Sequence, residues 1–473
     1  DMMRRRELLK FGMYGFGGVS LSQLLRARAA ADDVVAEPGA GRRTSKNRHG
    51  ERTAIILVWQ RGGCSHLDTW DPKPDAPTEF RGPYSTIDTN VPGIRLTELL
   101  PSLSKCADKF TLLRSIAHTG GGHPAGSLQV LAGDTDAKDK TLPVLPDWMS
   151  IANYLRHNPK REIPNYVTVN PVDRYDAFTI AGSTYLGPSY DPFKVLGDPS
   201  KPEFKVPNIG LGDPAVAQRF RKRLELKRGL DRVKADIDQT GIMEAVDDFD
   251  RQALNLLTSP KAQAAFDLSQ EKPAVRERYG MHQWGQQLLM ARRLVEAGVE
   301  IVTTELDGPL CGRVANWDDH AVNHHVFNAL EHRMPTFDQA VSALIEDVYA
   351  RGLNRRVLVV VAGEFGRTPR ISHVASSGGG VASGAKGTVQ PGRDHLPRAN
   401  TMLFAGGGLQ TGQIIGATDS RGEDPVDRRV SPGDFLATLY NHLGIDAARI
   451  AVPDQSGRPI PILPQGAAIP ELT

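Results

Sequence analysis

Acidic residues and histidines recur just beyond the apolar runs of this sequence. Asp68 follows the run at 53–59, Asp318 and His320 follow 299–304, Glu364 follows 357–362, and His395 precedes 401–405. Carboxylate oxygens are hard ligands and imidazole nitrogens borderline ones. A mixed set suits zinc, manganese or iron, and with few histidines calcium or magnesium. Any one of these residues alone reads as well as a turn former or a cap, and Glu364 equally as an ion-pair partner of Arg367. Their recurrence at run ends points instead to a shared divalent ion.

The elements that must position them follow from the apolar pattern. Val357 to Val361 is an unbroken aliphatic run, the mark of a strand covered on both faces. Residues 53–59, 110–116, 165–169 and 299–304 have strand length and similar character. Between them lie helical stretches at 285–298 and 334–351, and a last helix at 431–444 opens on Ser431-Pro432, a cap followed by a first-turn proline. Helix and strand in alternation predict an α/β fold with a doubly wound, mostly parallel sheet, whose strands end on one side where sites are built. Residues 118–127 form a glycine-rich loop between a strand and a helix, which leaves backbone N–H groups free for an anion. No Gly-Lys-Ser/Thr follows, so it is not a Walker loop.

With 473 residues, 24% charged and 40% hydrophobic, the chain can bury a large core. A net charge of +2 and 6% aromatic content give no reason to expect nucleic acid as a partner. Arg4-Arg5-Arg6 precedes a weakly apolar segment and then Ala27-Arg28-Ala29-Ala30-Ala31, in the order of a twin-arginine export signal. We therefore expect a signal over 1–31, a linker over 32–52, a main domain over 53–446 with a helical insertion at about 191–284, and a tail over 447–473. The mature protein is expected in the periplasm or otherwise outside the cytoplasm. No segment reaches the ~20 apolar residues of a membrane span. Three cysteines, Cys64, Cys106 and Cys311, allow one disulfide without choosing it.

The stretches GGCSHLDTWDPKP, RSIAHTGGGHPAG, NWDDH, VVVAGEFGRTPRI and GRDHLPRANTMLFAGGGLQTGQIIGATD together resemble the exported DUF1501 family, which is sulfatase-like and belongs to the alkaline phosphatase-like superfamily. The resemblance runs from about residue 54 to 445. It implies an alkaline phosphatase-like sheet with one or two divalent metals at the strand ends, and hydrolysis of sulfate or phosphate esters. Asp318, His320 and His395 then resemble one metal set, and Glu364 stands where a metal-binding aspartate follows its strand. Gln60-Arg61 occupies the position of the first metal aspartate, leaving Asp68 or Asp71 to compensate. His123 falls at the nucleophile position, with Thr119 and Ser127 the nearest hydroxyls.

The resulting expectation is an exported metallohydrolase acting on a small-molecule or polysaccharide ester through a metal-activated water. Asp68, Asp318, His320, Glu364 and His395 are the candidate ligands, Thr119 and His123 the candidate catalytic groups, and Arg367 a clamp for an anionic oxygen. The ion is zinc, calcium, manganese or magnesium. The absence of a nucleophile at its expected place supports the alternative, a non-catalytic binding or scaffold protein on the same fold.

Overall fold

The computed structural model describes residues 52–158, 161–206, 259–307, 316–378 and 382–473. The expected signal, nearly all of the linker, the central part of the helical insertion and Cys311 lie outside the described residues. Eight strands build the main sheet: β1 (Ala54–Trp59), β2 (Phe110–Ile116), β3 (Tyr166–Val169), β4 (Phe193–Val195), β5 (Ile301–Glu305), β6 (Val357–Ala362), β7 (Asn400–Gly406) and β8 (Gln413–Ile415). Their order across the sheet is β8-β2-β7-β6-β1-β5-β3-β4. β7 pairs antiparallel with both β6 and β2, and the other pairings are parallel.

Alternation along the buried strands sends side chains into two cores. In β1, Ala54, Ile56 and Val58 face one core while Ile55, Leu57 and Trp59 face the other. In β6, Val357, Val359 and Val361 divide from Leu358, Val360 and Ala362 in the same way. This two-sided burial is why these strands read as continuous apolar runs. The longer helices are α1 (His123–Ala132), α2 (Trp148–Leu155), α3 (Gln283–Glu296), α4 (Val326–Ala350) and α5 (Pro432–His442). α3 and α4 pack into the first core, and α1, α2 and α5 into the second. α5 begins with a capping box in which Ser431 and Asp434 exchange side-chain and backbone hydrogen bonds. α4 starts eight residues before the expected 334 and carries Pro335 inside it. A helix interior normally rejects proline, which hid this first part of the helix from a pattern reading.

β1 lies mid-sheet with β6 on one side and β5 on the other. The loops leaving all three emerge together, in the crevice where open α/β sheets place their sites. Because β7 runs the opposite way, its beginning lies at this same edge: Asn400 pairs with Ile116, the last residue of β2. That reversal brings the segment before β7 to the loops that leave the parallel strands.

Candidate metal centre

Four loops meet at this edge. The loop after β5 carries Asn316-Trp317-Asp318-Asp319-His320. Trp317 is buried, and its indole N–H donates to the Leu306 carbonyl at 3.0 Å. Asp319 turns inward to a salt bridge with Arg333. Anchored on both sides in this way, the loop turns Asp318 and His320 outward. The loop after β2 opens α1 with His123 in the first turn. The loop before β7 forms a two-residue ribbon with Gly366–Arg367, in which Arg367 pairs with His395. The exit from β1 supplies Gly62, whose φ of +104° and position against Asp318 leave no room for a side chain. A Cβ there would lie 2.5 Å from the Asp318 nitrogen.

His123, Asp318, His320 and His395 each present one ligand atom, and these atoms all lie within 4.8 Å of one another. Oδ1 of Asp318 is 3.3 Å from Nε2 of His123, 3.0 Å from Nε2 of His320 and 3.3 Å from Nε2 of His395. A tetrahedral ion with ligand bonds near 2.0 Å has ligand–ligand edges of about 3.3 Å, which these spacings match. The far nitrogen of every ring is engaged by an acceptor. Nδ1 of His123 donates to Oε1 of Glu364 at 2.7 Å, Nδ1 of His320 to Oδ1 of Asp394 at 2.7 Å, and Nδ1 of His395 to the Gly121 carbonyl at 2.7 Å. Such partners fix the tautomer and leave Nε2 as a lone pair, the arrangement seen for metal-bound histidine.

The charges point the same way. Nε2 of His320 and Nε2 of His395 face each other at 2.9 Å, which in the neutral rings sets lone pair against lone pair. Nε2 of His123 is buried without a hydrogen-bond partner. Burial opposes ionisation of Asp318, yet the imidazoles of His123, His320 and His395 around its Oδ1, when protonated, and the charge of Arg367 hold its carboxyl far below the usual range. Burial depresses His123 and His320, but their carboxylate partners outweigh it and raise both. His395 is lowered by burial, with the Arg367 and His123 charges adding to the effect against the pull of the Asp318 carboxylate. The donor set thus fits a divalent cation: bound there, it replaces the protons that would otherwise have to separate these nitrogens.

Several expected site residues serve other ends. Asp68 is no ligand of this cluster. It is fully buried in a two-bond ion pair with Arg393, 2.7 Å from Nε to Oδ2 and 3.1 Å from Nη2 to Oδ1. Glu364 lies one layer behind the cluster, where its Oε1 accepts from His123 and from the Gly62 N–H at 2.8 Å. Arg367 does not clamp a ligand, because the protein occupies its fork. It donates to the carbonyls of Gly62, Gly63 and Arg393 and to Oδ1 of Asp318 at 2.7 Å. Thr119 is exposed, and its hydroxyl accepts from Gln129 Nε2 at 3.0 Å. Cys64 and Cys106 are buried free thiols, each pushed up to about 12 by burial. Asp394 belongs to the charged cluster around His395 but is not among the candidate site residues, because its place in the sequence does not show that it backs His320. Tyr175, stacked on His123, carried no sequence signal at all.

The whole described site lies within a single sequence family. Residues 52–473 match the family described as "Protein of unknown function (DUF1501)". The chain belongs to the DUF1501 family. No curated protein matches its sequence. Among solved structures, it is similar to a protein in the alkaline phosphatase superfamily from Vibrio parahaemolyticus, at 11% identity and a TM-score of 0.38, covering 89% of this chain and 71% of that one. It is similar to the PsFucS1 sulfatase from Pseudoalteromonas sp., at 11% identity and a TM-score of 0.36, covering 86% and 71%. It is also similar to the C-terminal periplasmic domain of EcEptC from Escherichia coli in complex with Zn, at 12% identity and a TM-score of 0.36, covering 87% and 90%. No described helix of this DUF1501 protein is long and apolar enough to cross a membrane.

Proposed function

We propose that this DUF1501 protein is an extracytoplasmic, metal-dependent hydrolase of sulfate or phosphate esters, with the ion held by His123, Asp318, His320 and His395. The observation that carries the reading is the convergence of three imidazole Nε2 atoms on Asp318 Oδ1, each ring fixed from behind by its own acceptor. Three nitrogen donors favour zinc or another first-row transition ion over calcium and magnesium, which prefer oxygen. Such an ion supplies Lewis acidity toward an ester oxygen and makes a water acidic enough to react near neutral pH.

The chain's own residues do the rest. Arg367 holds Asp318 in place and balances its charge. Glu364 and Asp394 orient His123 and His320 and raise their basicity as ligands. The His320 and His395 side chains are 22% and 21% exposed, so an ester reaches the centre from their side. The twin-arginine pattern at Arg4-Arg5 supports passage out of the cytoplasm after folding.

One observation favours a second reading, a non-catalytic protein with a structural ion. Four protein donors already complete a tetrahedron, as closed structural zinc sites do. Metal analysis of the purified protein, with a screen of aryl sulfates and aryl phosphates, separates the two. The hydrolase reading expects a stoichiometric transition ion and turnover abolished by Asp318→Ala and His395→Ala. A stoichiometric ion without turnover on any ester favours the structural reading. Absence of both ion and turnover after reconstitution with several metals defeats the hydrolase.

A further inference from the structure

We infer that Tyr175 is a positioning residue for His123, and that it decides how tightly the centre holds its ion; this rests on the metal reading above. Tyr175 lies in a hairpin of Arg174–Tyr175 and Phe178–Thr179 that follows β3, and no ligand atom of the cluster comes from it. Its ring stacks on the His123 imidazole with centroids 3.9 Å apart and planes inclined by 10°. Both residues are largely buried, at 6% and 8% exposure. The contact therefore excludes water from one face of the ligand.

His320 and His395 lie in loops held by the Trp317 anchor and by the Arg367 ribbon. His123 sits in the first turn of the buried α1, whose N-terminus is capped from outside the helix by Asp139 Oδ1, which accepts from the Ala125 N–H at 3.0 Å. Its Nδ1–H bond to Glu364 fixes one point of the ring, and Phe365 and His395 meet it at tilted and edge-on angles, so Tyr175 is its one stacked neighbour among the described rings. A face-to-face ring keeps Nε2 aimed at Asp318.

Tyr175 is itself held by Arg61. The guanidinium carbon lies 4.5 Å from the tyrosine centroid, and the same group reaches Asp176 at 3.0 Å and Asp307 at 2.7 Å. Arg61 thus ties the hairpin tip to the edge of the sheet. The Asp176 side chain is 73% exposed, so that part of the tie is weak. Arg174 and Thr179 of the same hairpin line a cavity of about 420 Å³. The inferred arrangement is a ligand ring braced on one face by a hairpin that contributes no ligand of its own.

The test uses the full protein loaded with cobalt(II), read by its visible absorption and by competition with a chelator. Tyr175→Phe keeps the ring and is expected to retain the wild-type spectrum and affinity. Tyr175→Leu keeps apolar bulk without a flat ring, and is expected to shift the cobalt bands and weaken affinity by about tenfold, in line with the loss of one aromatic stack. Wild-type spectra and affinities in both variants overturn the inference, as does equal weakening in both, which would implicate the hydroxyl. A wild-type protein that takes up no transition ion defeats the metal reading and this inference with it. Unchanged variants of a metal-binding wild type defeat the inference alone.

Discussion

Arg367 and Asp318 meet through a 2.7 Å hydrogen bond to Oδ1, the same oxygen on which the three histidines converge. The arginine therefore acts on the centre through its carboxylate. Its remaining N–H groups are spent on carbonyls of the loops that follow β1 and precede β7, so it also joins those loops.

Arg367→Met removes the lasting counter-charge of Asp318. In metal-free protein this is expected to cost roughly 3 kcal/mol or more, as for other broken buried pairs. With an ion bound, the carboxylate regains a cation and the loss shrinks. Urea unfolding of both forms checks this. An equal loss with and without metal would contradict the role given to Arg367.

Asp394→Asn keeps an acceptor for His320 Nδ1 but removes its charge. Because Asp394 is largely exposed, the fold is expected to survive. Metal affinity is expected to fall by about 10- to 100-fold, the usual effect of altering a ligand's outer partner. Chelator competition measures it, and an unchanged affinity would mean that the carboxylate does not tune the ring.

Asp68→Asn strips Arg393 of its carboxylate and leaves it hydrogen-bonded to the carbonyls of Phe80, Thr368 and Pro369. Stability is expected to drop by roughly 3–5 kcal/mol. Metal content of the folded protein is expected to equal that of wild type. Loss of the ion from folded Asp68→Asn protein would restore Asp68 as a ligand.

His66 supplies a pH test outside the centre. It is buried, and its Nε2–H donates to the Gly422 carbonyl at 2.8 Å. Burial holds its pKa below the ordinary 6.5, against the pull of Asp71. A depressed folded value means that its stabilisation is complete above the unfolded pKa and is lost as the pH falls below about 6.5. His66→Gln retains the donor without the titration. Metal-free wild type is expected to lose more stability between pH 7.5 and pH 5.5 than His66→Gln does, judged by urea midpoints. Parallel pH profiles would show that His66 contributes nothing to the slope.

Much of the framework is legible in the sequence because its cause is local. Phe110–Ile116 and Val357–Ala362 are apolar throughout since both faces of those strands are covered, and composition alone reports that. Asp318, His320 and His395 stand out because ionisable residues crowd the ends of such runs. Partner choice is a different matter. Asp68 and Arg393 are 325 residues apart, and no local pattern says that this carboxylate meets a guanidinium instead of an ion. Glu364 follows its strand closely, which predicts a ligand. In three dimensions the Gly62 N–H and His123 claim the same oxygen, which sets the carboxylate one layer back. His123 joins the ligands for a matching reason: the turn into α1 carries its ring across to the loop after β5. Residue type and strand-end position belong to the sequence, whereas charge pairing depends on distances that exist only once the antiparallel β7 has brought its leading loop to the edge where the parallel strands end.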